Sequence, residues 1–312
     1  MRNQAKRGQP VNIVRVPATS ANLGPGYDTL GLALNLWLTV EWRAYPRTVV
    51  EVRGEGSELL PHDTTNMVYH ILDDTFRDLT GRALPYGYLS IDSEIPVARG
   101  LGSSAAAVVA AVRLAYALAD TELSAEQCLA RAAAIEKHMD NVAAAIVGGA
   151  TLVFTESGRP CYRRFDPPPF PIVLAIPDYL VSTDMARKIL PPMVSRQDAV
   201  FNAQRVGLWI YALSQHAWDV LHFAGQDRLH QDARSALLPG FHHALEAATA
   251  CGAALVALSG SGSTVLAMAP SGREQAIGAA MRGAFAQNRI DARIVTTTAS
   301  PTGALDRSPV SC

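Results

Sequence analysis

The segment Pro96-x3-Gly100-Leu101-Gly102-Ser103-Ser104-Ala105-Ala106 carries the plainest chemistry in this chain. Phosphate oxygens are held by several converging backbone N–H groups, and glycine lets a backbone approach a ligand with no Cβ in the way. The Ala-rich run that follows is a strong helix former. A helix opening at Ser103 would therefore aim its free N–H groups and the positive end of its dipole at the same point. The pattern reads as a phosphate cradle. It lacks the Lys of GxxxxGK[ST] and the third glycine of GxGxxG, so it is neither of those two phosphate motifs. A Gly/Ser loop that merely caps a helix is the structural alternative.

Two more glycine-rich segments and three charged ones could join it. PATSANLGPGYDTLG (Pro17 to Gly31) places Asn22 and Asp28 in a loop with three glycines and two prolines. By themselves such residues can simply bond their own backbone. LSGSGSTVLAM (Leu258 to Met268) is a glycine-rich turn running into an apolar strand, which a hairpin or bulge explains equally well. Glu136, His138, Asp140 and Asn141 gather in EKHMDN, where His138 alone reads more readily as a structural histidine. Arg187, in TDMARKILPP, could cover apolar surface or cap carbonyls, and Arg234, in DRLHQDARS, could lie on a solvated face.

The elements that must position these residues follow from periodicity. Val11 to Val16 and Leu34 to Arg43 alternate apolar with polar residues and predict strands on either side of TSANLGPGYD. Asn66 to Leu79 has helical spacing, with Asp63, Thr64 and Thr65 as N-cap candidates. Tyr88 to Ile95 alternates as a strand. Ser124 to His138 predicts one helix with a Ser124/Gln127 capping box, delivering Glu136, His138, Asp140 and Asn141 to its C-terminal end. Asp166 to Pro171, four prolines in six residues, predicts the domain junction. Beyond it, Ile172 to Ile176 and Ala254 to Leu258 read as strands, and Phe201 to Ala224 and Glu274 to Asn288 as helices. The order suits an α+β fold of two domains, residues 11–165 and 170–300, followed by a dispensable tail.

Composition bounds the partners. Hydrophobic residues make up 49% and charged residues 18% of 312, which describes a globular chain with a large core. A net charge of -1 gives no basic field for nucleic acid. Cys128, Cys161, Cys251 and Cys312 form no CxxC pair, as expected in a reducing cytoplasm. The first ten residues read as a frayed leader with no apolar run behind them. The apolar stretch Ala105 to Ala119 is interrupted by Arg113 and falls short of the ~20 residues of a membrane span.

Taken in order, PATSANLGPG-[YF]-D, P-x3-GLGSSAA and SGSG-x-T resemble the motifs of the GHMP kinases, the family of galactokinase, homoserine kinase, mevalonate kinase and phosphomevalonate kinase. The first motif and EKHMDNVAAAIVGG (Glu136 to Gly149) are similar to the homoserine kinase branch, whose usual form of the latter is EGHPDNVAPAxxGG. The resemblance covers about residues 12–300. It implies a ribosomal-S5-domain-2-like N-terminal domain, a ferredoxin-like C-terminal domain and transfer of a phosphoryl group from ATP to a small-molecule alcohol, homoserine first among them. It also implies that Pro96, Gly100, Leu101, Gly102, Ser103, Ser104 and Ala105 wrap the ATP phosphates. Gly260, Ser261 and Gly262 support them, Asn66 and Val68 line the adenine pocket, and Ser104 and Glu136 hold Mg²⁺.

For an amino-acid substrate the resemblance implies Asn22, Asp28, His138, Asp140 and Asn141 from the first half, with Thr183, Arg187 and Arg234 from the second. A carboxylate suits a substrate ammonium and guanidinium forks suit its carboxylate. Asn141 would hold the reacting hydroxyl, and an amide cannot serve as a general base. Lys137 and Met139 depart from the Gly and Pro of EGHPDN, and Ser261 and Ser263 from the Ala and Pro of SGAGPT. A kinase acting on another hydroxy-amino acid, an ATP-binding sensor without turnover and a nucleic-acid module on the S5-like fold are the competing readings. A homodimer is a further expectation.

Overall fold

The computed structural model describes residues 12–305. Val11, the leader and Cys312 lie outside them. Strand β1 (Asn12–Asn22) pairs antiparallel with β2 (Gly26–Ala44) from Asn12↔Trp42 to Asn22↔Gly26. The turn-rich segment expected between two strands is thus itself strand, and its turn shrinks to residues 23–25. Register shifts at Pro17/Ala18 and Ala21/Asn22 absorb the proline and bend the hairpin end. Strand β3 (Val49–Gly54), helix α1 (Met67–Thr80) and strand β4 (Gly87–Ser93) form a βαβ unit with β3 parallel to β4. The cap of α1 is Asn66 itself, whose Oδ1 accepts from Val68 N at 2.9 Å. Of the expected caps, Asp63 only closes the preceding turn by accepting from Thr65 N.

Helix α2 (Ser103–Leu118) is buried along nearly its whole inner length, its alanines letting it lie close to the sheet. Helix α3 (Ala125–Ile135) starts on the Ser124/Gln127 capping box, as the sequence predicts. It stops three residues sooner than expected. Glu136 and His138 occupy a connector, and helix α4 (Met139–Val147) carries Asp140 and Asn141 in its first turn. Strands β5 (Ala150–Glu156) and β6 (Arg159–Phe165) complete a sheet of order β3-β4-β2-β5-β6 with β1 beside β2.

The chain crosses to a second, antiparallel sheet through residues 166–170. Its elements are β7 (Pro171–Pro177), α5 (Thr183–Lys188), α6 (Arg196–Gln215), α7 (Leu221–Ala224), α8 (Gln231–Ser235), α9 (Phe241–Ala250), β8 (Leu255–Leu258), β9 (Val265–Met268), α10 (Glu274–Gln287) and β10 (Ala292–Thr298). Its strand order is β10-β7-β9-β8. The long helix expected to Ala224 ends at Gln215, because His216 adopts a left-handed conformation. Of the tail expected to be dispensable, residues 306–312 lie outside the described residues. Residues 301–305 dock on α4, with Ala304 fully buried. One apolar core, including Val16, Leu32, Val109, Leu174 and Trp209, runs through both halves.

Candidate active site

The cradle is shaped by close approach. Gly100 and Gly102 have φ of +74° and +70°, and a Cβ would fall 2.1 Å from Ser259 O at Gly100 and 1.9 Å from Thr19 Oγ1 at Gly102. Only glycine fits either place. The loop is pinned by Thr19 N–H donating to Leu101 O (3.1 Å), Ser259 Oγ to Gly100 O (2.7 Å) and Thr264 N–H to Arg99 O (3.2 Å). Gly102 caps α2 with no side-chain bond, so the first-turn N–H groups face outward. They look into a cavity of about 120 Å³, which Gly100, Leu101, Gly102, Ser103, Ser104 and Ala105 line on one side.

The break between α3 and α4 lines a second side with Glu136, His138, Asp140 and Asn141. Ser104 Oγ donates to Glu136 Oε2 at 2.6 Å, and Glu136 Oε1 meets His138 Nδ1. Burial pushes the Glu136 carboxyl up, but the bonds from His138 and Ser104 outweigh it and hold the group below its ordinary range. Glu136 is therefore charged at neutral pH. Asp140 is buried and pushed up to about 6, first by burial and then by the charge of Asp28. Its Oδ1 accepts from Asn141 N at 2.8 Å. Asn141 Oδ1 in turn accepts from buried Thr19 Oγ1 at 2.8 Å, which fixes the amide with Nδ2 toward Asp140 Oδ1 (3.3 Å).

The β1–β2 hairpin and the second half close the cavity. Asn22 donates to Gly260 O at 2.9 Å and accepts from Asp28 N at 3.1 Å. Arg187, in the last turn of α5, donates through Nη2 to Asp28 Oδ1 (2.7 Å), Nη1 to Tyr27 OH (3.2 Å) and Nε to His138 Nε2 (3.3 Å). Arg234 is 3% exposed, not on a solvated face. Its Nε donates to Ala186 O (3.1 Å), and its Nη1 faces Gly260 O (3.0 Å) and His230 Nδ1 (3.1 Å). Both guanidinium carbons lie over Tyr27, at 5.7 Å for Arg187 and 5.3 Å for Arg234.

Residues 66–149 match the family described as GHMP kinases N terminal domain, and residues 212–287 match GHMP kinases C terminal. The homoserine kinase of Desulfitobacterium hafniense is 39% identical over 292 residues, 93% of this chain and 98% of that protein. That of Synechocystis sp. is 41% identical over 82% of this chain and 85% of its own. This chain belongs to the homoserine kinase branch of the GHMP kinases. The crystal structure of homoserine kinase from Cytophaga hutchinsonii superposes with a TM-score of 0.83 at 28% identity, covering 97% of this chain and 98% of that one. The L. major mevalonate kinase shares the fold, with a TM-score of 0.73 at 14% identity and coverage of 97% and 100%.

The GHMP kinase motifs account for most of the cavity wall, Gly260 and Ser261 included, and Thr183 lines it from outside them. Pro96, Gly262, Asn66 and Val68 are not among the lining residues; the Asn66 amide serves the α1 cap and donates to Pro61 O. The departures from the family pattern also have places. Met139 is the first residue of α4, where proline is favoured because its missing N–H has no partner to lose. Ser263 Oγ donates to Tyr179 O at 3.0 Å, and Ser261 Oγ lies 3.3 Å from Thr183 Oγ1. These two serines tie the third motif to the segment carrying Arg187, bonds that Ala and Pro cannot make. Thr19, Tyr27, Arg99 and His230 escaped the sequence reading. Thr19 stood inside a quoted motif, and an (i, i+4) spacing joined His230 to Arg234.

Proposed function

We propose that this homoserine kinase relative transfers the γ-phosphoryl group of ATP to the side-chain hydroxyl of L-homoserine, giving ADP and O-phospho-L-homoserine, a step of threonine biosynthesis. The observation that carries the reading is one shared cavity. It joins the amino end of α2, the Ser104–Glu136 pair and the charged set Asp28, Arg187 and Arg234. The helix end and the loop amides suit phosphate. Asp28 with Asp140 suits the substrate ammonium, Arg187 and Arg234 its carboxylate, and Asn22, His138 and Thr183 line the same space. Residues 11–165 and 170–300 serve as the two domains around it.

Mg²⁺ fits the residues present. Ser104 Oγ and Glu136 Oε2 are 2.6 Å apart, near the ~2.9 Å between adjacent oxygens around an octahedral Mg²⁺ with ligands at ~2.0–2.1 Å. Among the described residues no group of three or more His, Cys, Asp or Glu is placed to hold a metal ion by itself. A cation held by one hydroxyl and one carboxylate would need its other ligands from phosphate and water. When bound, it would neutralise charge on the transferring phosphoryl group. The chain's own part is positioning. Asn141, braced by Thr19, orients the hydroxyl, and no side chain serves as obligatory base, since phosphoryl transfer asks little proton removal before the transition state. The reading includes a cytoplasmic protein and a homodimer; no helix among the described residues is long and apolar enough to cross a membrane.

The test is ADP release, coupled to a spectrophotometric readout, across homoserine, threonine, serine, mevalonate and galactose with Mg²⁺ and ATP. Homoserine should exceed mevalonate and galactose in kcat/KM by at least about tenfold, since each charge-assisted contact that those two lack contributes roughly 1.5–3 kcal/mol. Equal rates with homoserine and mevalonate would defeat the amino-acid reading, and no ADP release with any of them would leave a binding protein.

A further inference from the structure

Arginine has five N–H donors, and in Arg234 three of them already have acceptors. Nε donates to Ala186 O, and the two hydrogens of Nη1 are directed to Gly260 O and His230 Nδ1. Only Nη2 is left for the cavity that Arg234 lines. Arg234 therefore offers one nitrogen at a fixed place, rather than the open fork expected from residue type. Two of its three anchors are backbone carbonyls. His230 is the anchor that belongs to a side chain.

The His230 ring is fully buried and held at both nitrogens. Nε2 lies 2.7 Å from Gly24 O, which can only accept, so Nε2 carries the proton. Nδ1 faces a guanidinium, which can only donate, so Nδ1 is bare. Both neighbours impose the same neutral tautomer. Burial pushes His230 below the usual imidazole range, in keeping with it. The backbone beneath is fixed too: Asp227 Oδ2 accepts from His230 N (2.9 Å) and Gln231 N (2.8 Å), while Asp227 Oδ1 accepts from Asn202 Nδ2 (2.7 Å). Gly24 sits in the turn of the β1–β2 hairpin, the hairpin that carries Asn22 and Asp28.

We infer that His230 is a positioning residue for substrate specificity. Its Nδ1 fixes the Arg234 guanidinium so that Nη2 meets the substrate carboxylate, while the Nε2 bond to Gly24 O keeps that Nδ1 bare. This rests on the reading of Arg234 given under Proposed function, and it assigns to His230 a part that the motif resemblance does not.

Two substitutions separate the ring nitrogens. His230→Asn keeps an acceptor near Nδ1 and loses the donor to Gly24. His230→Gln keeps a donor near Nε2 and loses the acceptor for Arg234. The readout is the ratio of kcat/KM for homoserine to that for 3-aminopropan-1-ol, which has no carboxylate, with KM for ATP and the melting temperature as controls. His230→Gln should lower the ratio about tenfold with KM for ATP unchanged, and His230→Asn should keep it within about threefold, as the loss or retention of one charged hydrogen bond requires. Arg234→Ala should lower the ratio roughly ten- to a hundredfold.

If Arg234→Ala lowers the ratio and His230→Gln does not, the inference fails while the reading of Arg234 stands. If Arg234→Ala keeps the full ratio, the reading itself fails. Equal losses in both His230 variants, or parallel losses for the two substrates, would reduce His230 to packing and overturn the inference. Should His230→Gln not fold, His230→Asn decides alone, since it must keep the preference.

Discussion

At the scale of single residues, two carboxylates in one cavity have opposite fates. Glu136 is bonded by Ser104 and His138 and stays charged, whereas Asp140 is buried beside Asp28 and pushed up to about 6. Glu136→Gln keeps the shape and removes the charge, so kcat should fall about a hundredfold or more and resist rescue by excess Mg²⁺, the size of loss expected for a group facing transition-state charge. Near-normal turnover at saturating Mg²⁺ would remove Glu136 from the metal site. Asp140 has a folded value above the 3.8 of a free carboxyl, so between about pH 4 and 6 the folded state holds a proton that the unfolded chain has lost. Stability therefore falls as pH rises through that window and stays lowered above it. Asp140→Asn should be more stable than wild type at pH 7–8 by on the order of 3 kcal/mol, an advantage that fades toward pH 4. Urea unfolding at both pH values measures it, and a variant no more stable at pH 8 contradicts the burial argument. In wild type, kcat/KM for homoserine should drop below about pH 6 while kcat stays flat, because the protonated carboxyl no longer attracts the ammonium. A matching drop in kcat, abolished in Asp140→Asn with binding intact, would instead make Asp140 a general base.

At the scale of elements, the cradle depends on a glycine at the mouth of α2. Gly102→Ala would place a methyl 1.9 Å from Thr19 Oγ1 at a φ of +70°. Thr19 would be driven off the Asn141 Oδ1 it braces. Stability should fall by about 2–4 kcal/mol, and KM for ATP and kcat should both worsen, since strain and displacement act together. Calorimetry with steady-state kinetics checks this, and an alanine variant with unchanged KM for ATP would show that the loop amides do not read phosphate. Local chemistry made this part of the fold legible: glycine spacing, the Ala-rich run and the Ser124/Gln127 capping box are all short-range signals. The break between α3 and α4 was not. Glu136, Lys137, His138 and Met139 include good helix formers, and Met139, the first residue of α4, stands where the usual family motif has proline. His216 likewise stops α6 with a left-handed turn that its residue type does not announce. The site was readable as a set of motifs, but the partners that brace it, Thr19 for Asn141 and His230 for Arg234, are fixed by tertiary approach.

At the scale of the whole molecule, the two halves share a core, and the chain's return to the first half completes α4. Strand β10 leaves the second sheet, Ser300 N–H donates to Ala33 O at 2.8 Å, and residues 301–305 run along the end of α4. The last four carbonyls of that helix then all find donors. Gly148 N serves Ala144 O, Ala304 N serves Ala145 O (2.9 Å), Leu305 N serves Ile146 O (3.1 Å), and Arg164 Nε serves Val147 O (3.0 Å). Arg164 itself is steadied through Nη2 by Pro301 O at 2.7 Å. The approach is tight enough that a Cβ on Gly148 would meet Thr302 C at 2.4 Å and one on Gly303 would meet Ile146 O at 2.4 Å. Helix α4 is only nine residues long and carries Asp140 and Asn141 in its first turn, so its far end is coupled to the chemistry at its near end. Ending the chain after Ser300 removes two backbone bonds and the buried Ala304, and leaves three carbonyls short of a secured donor. At about 1 kcal/mol for each bond, with the burial added, the loss should be about 2–4 kcal/mol and the melting temperature should fall by several degrees. Turnover should fall more than KM for ATP, because Asn141 loosens while the cradle on α2 is untouched. The reference is a chain ending after Leu305, which keeps every one of these bonds. If the two truncations melt together and turn over alike, residues 301–305 are as dispensable as their composition suggests, and the coupling of α4 to the C-terminal segment is wrong.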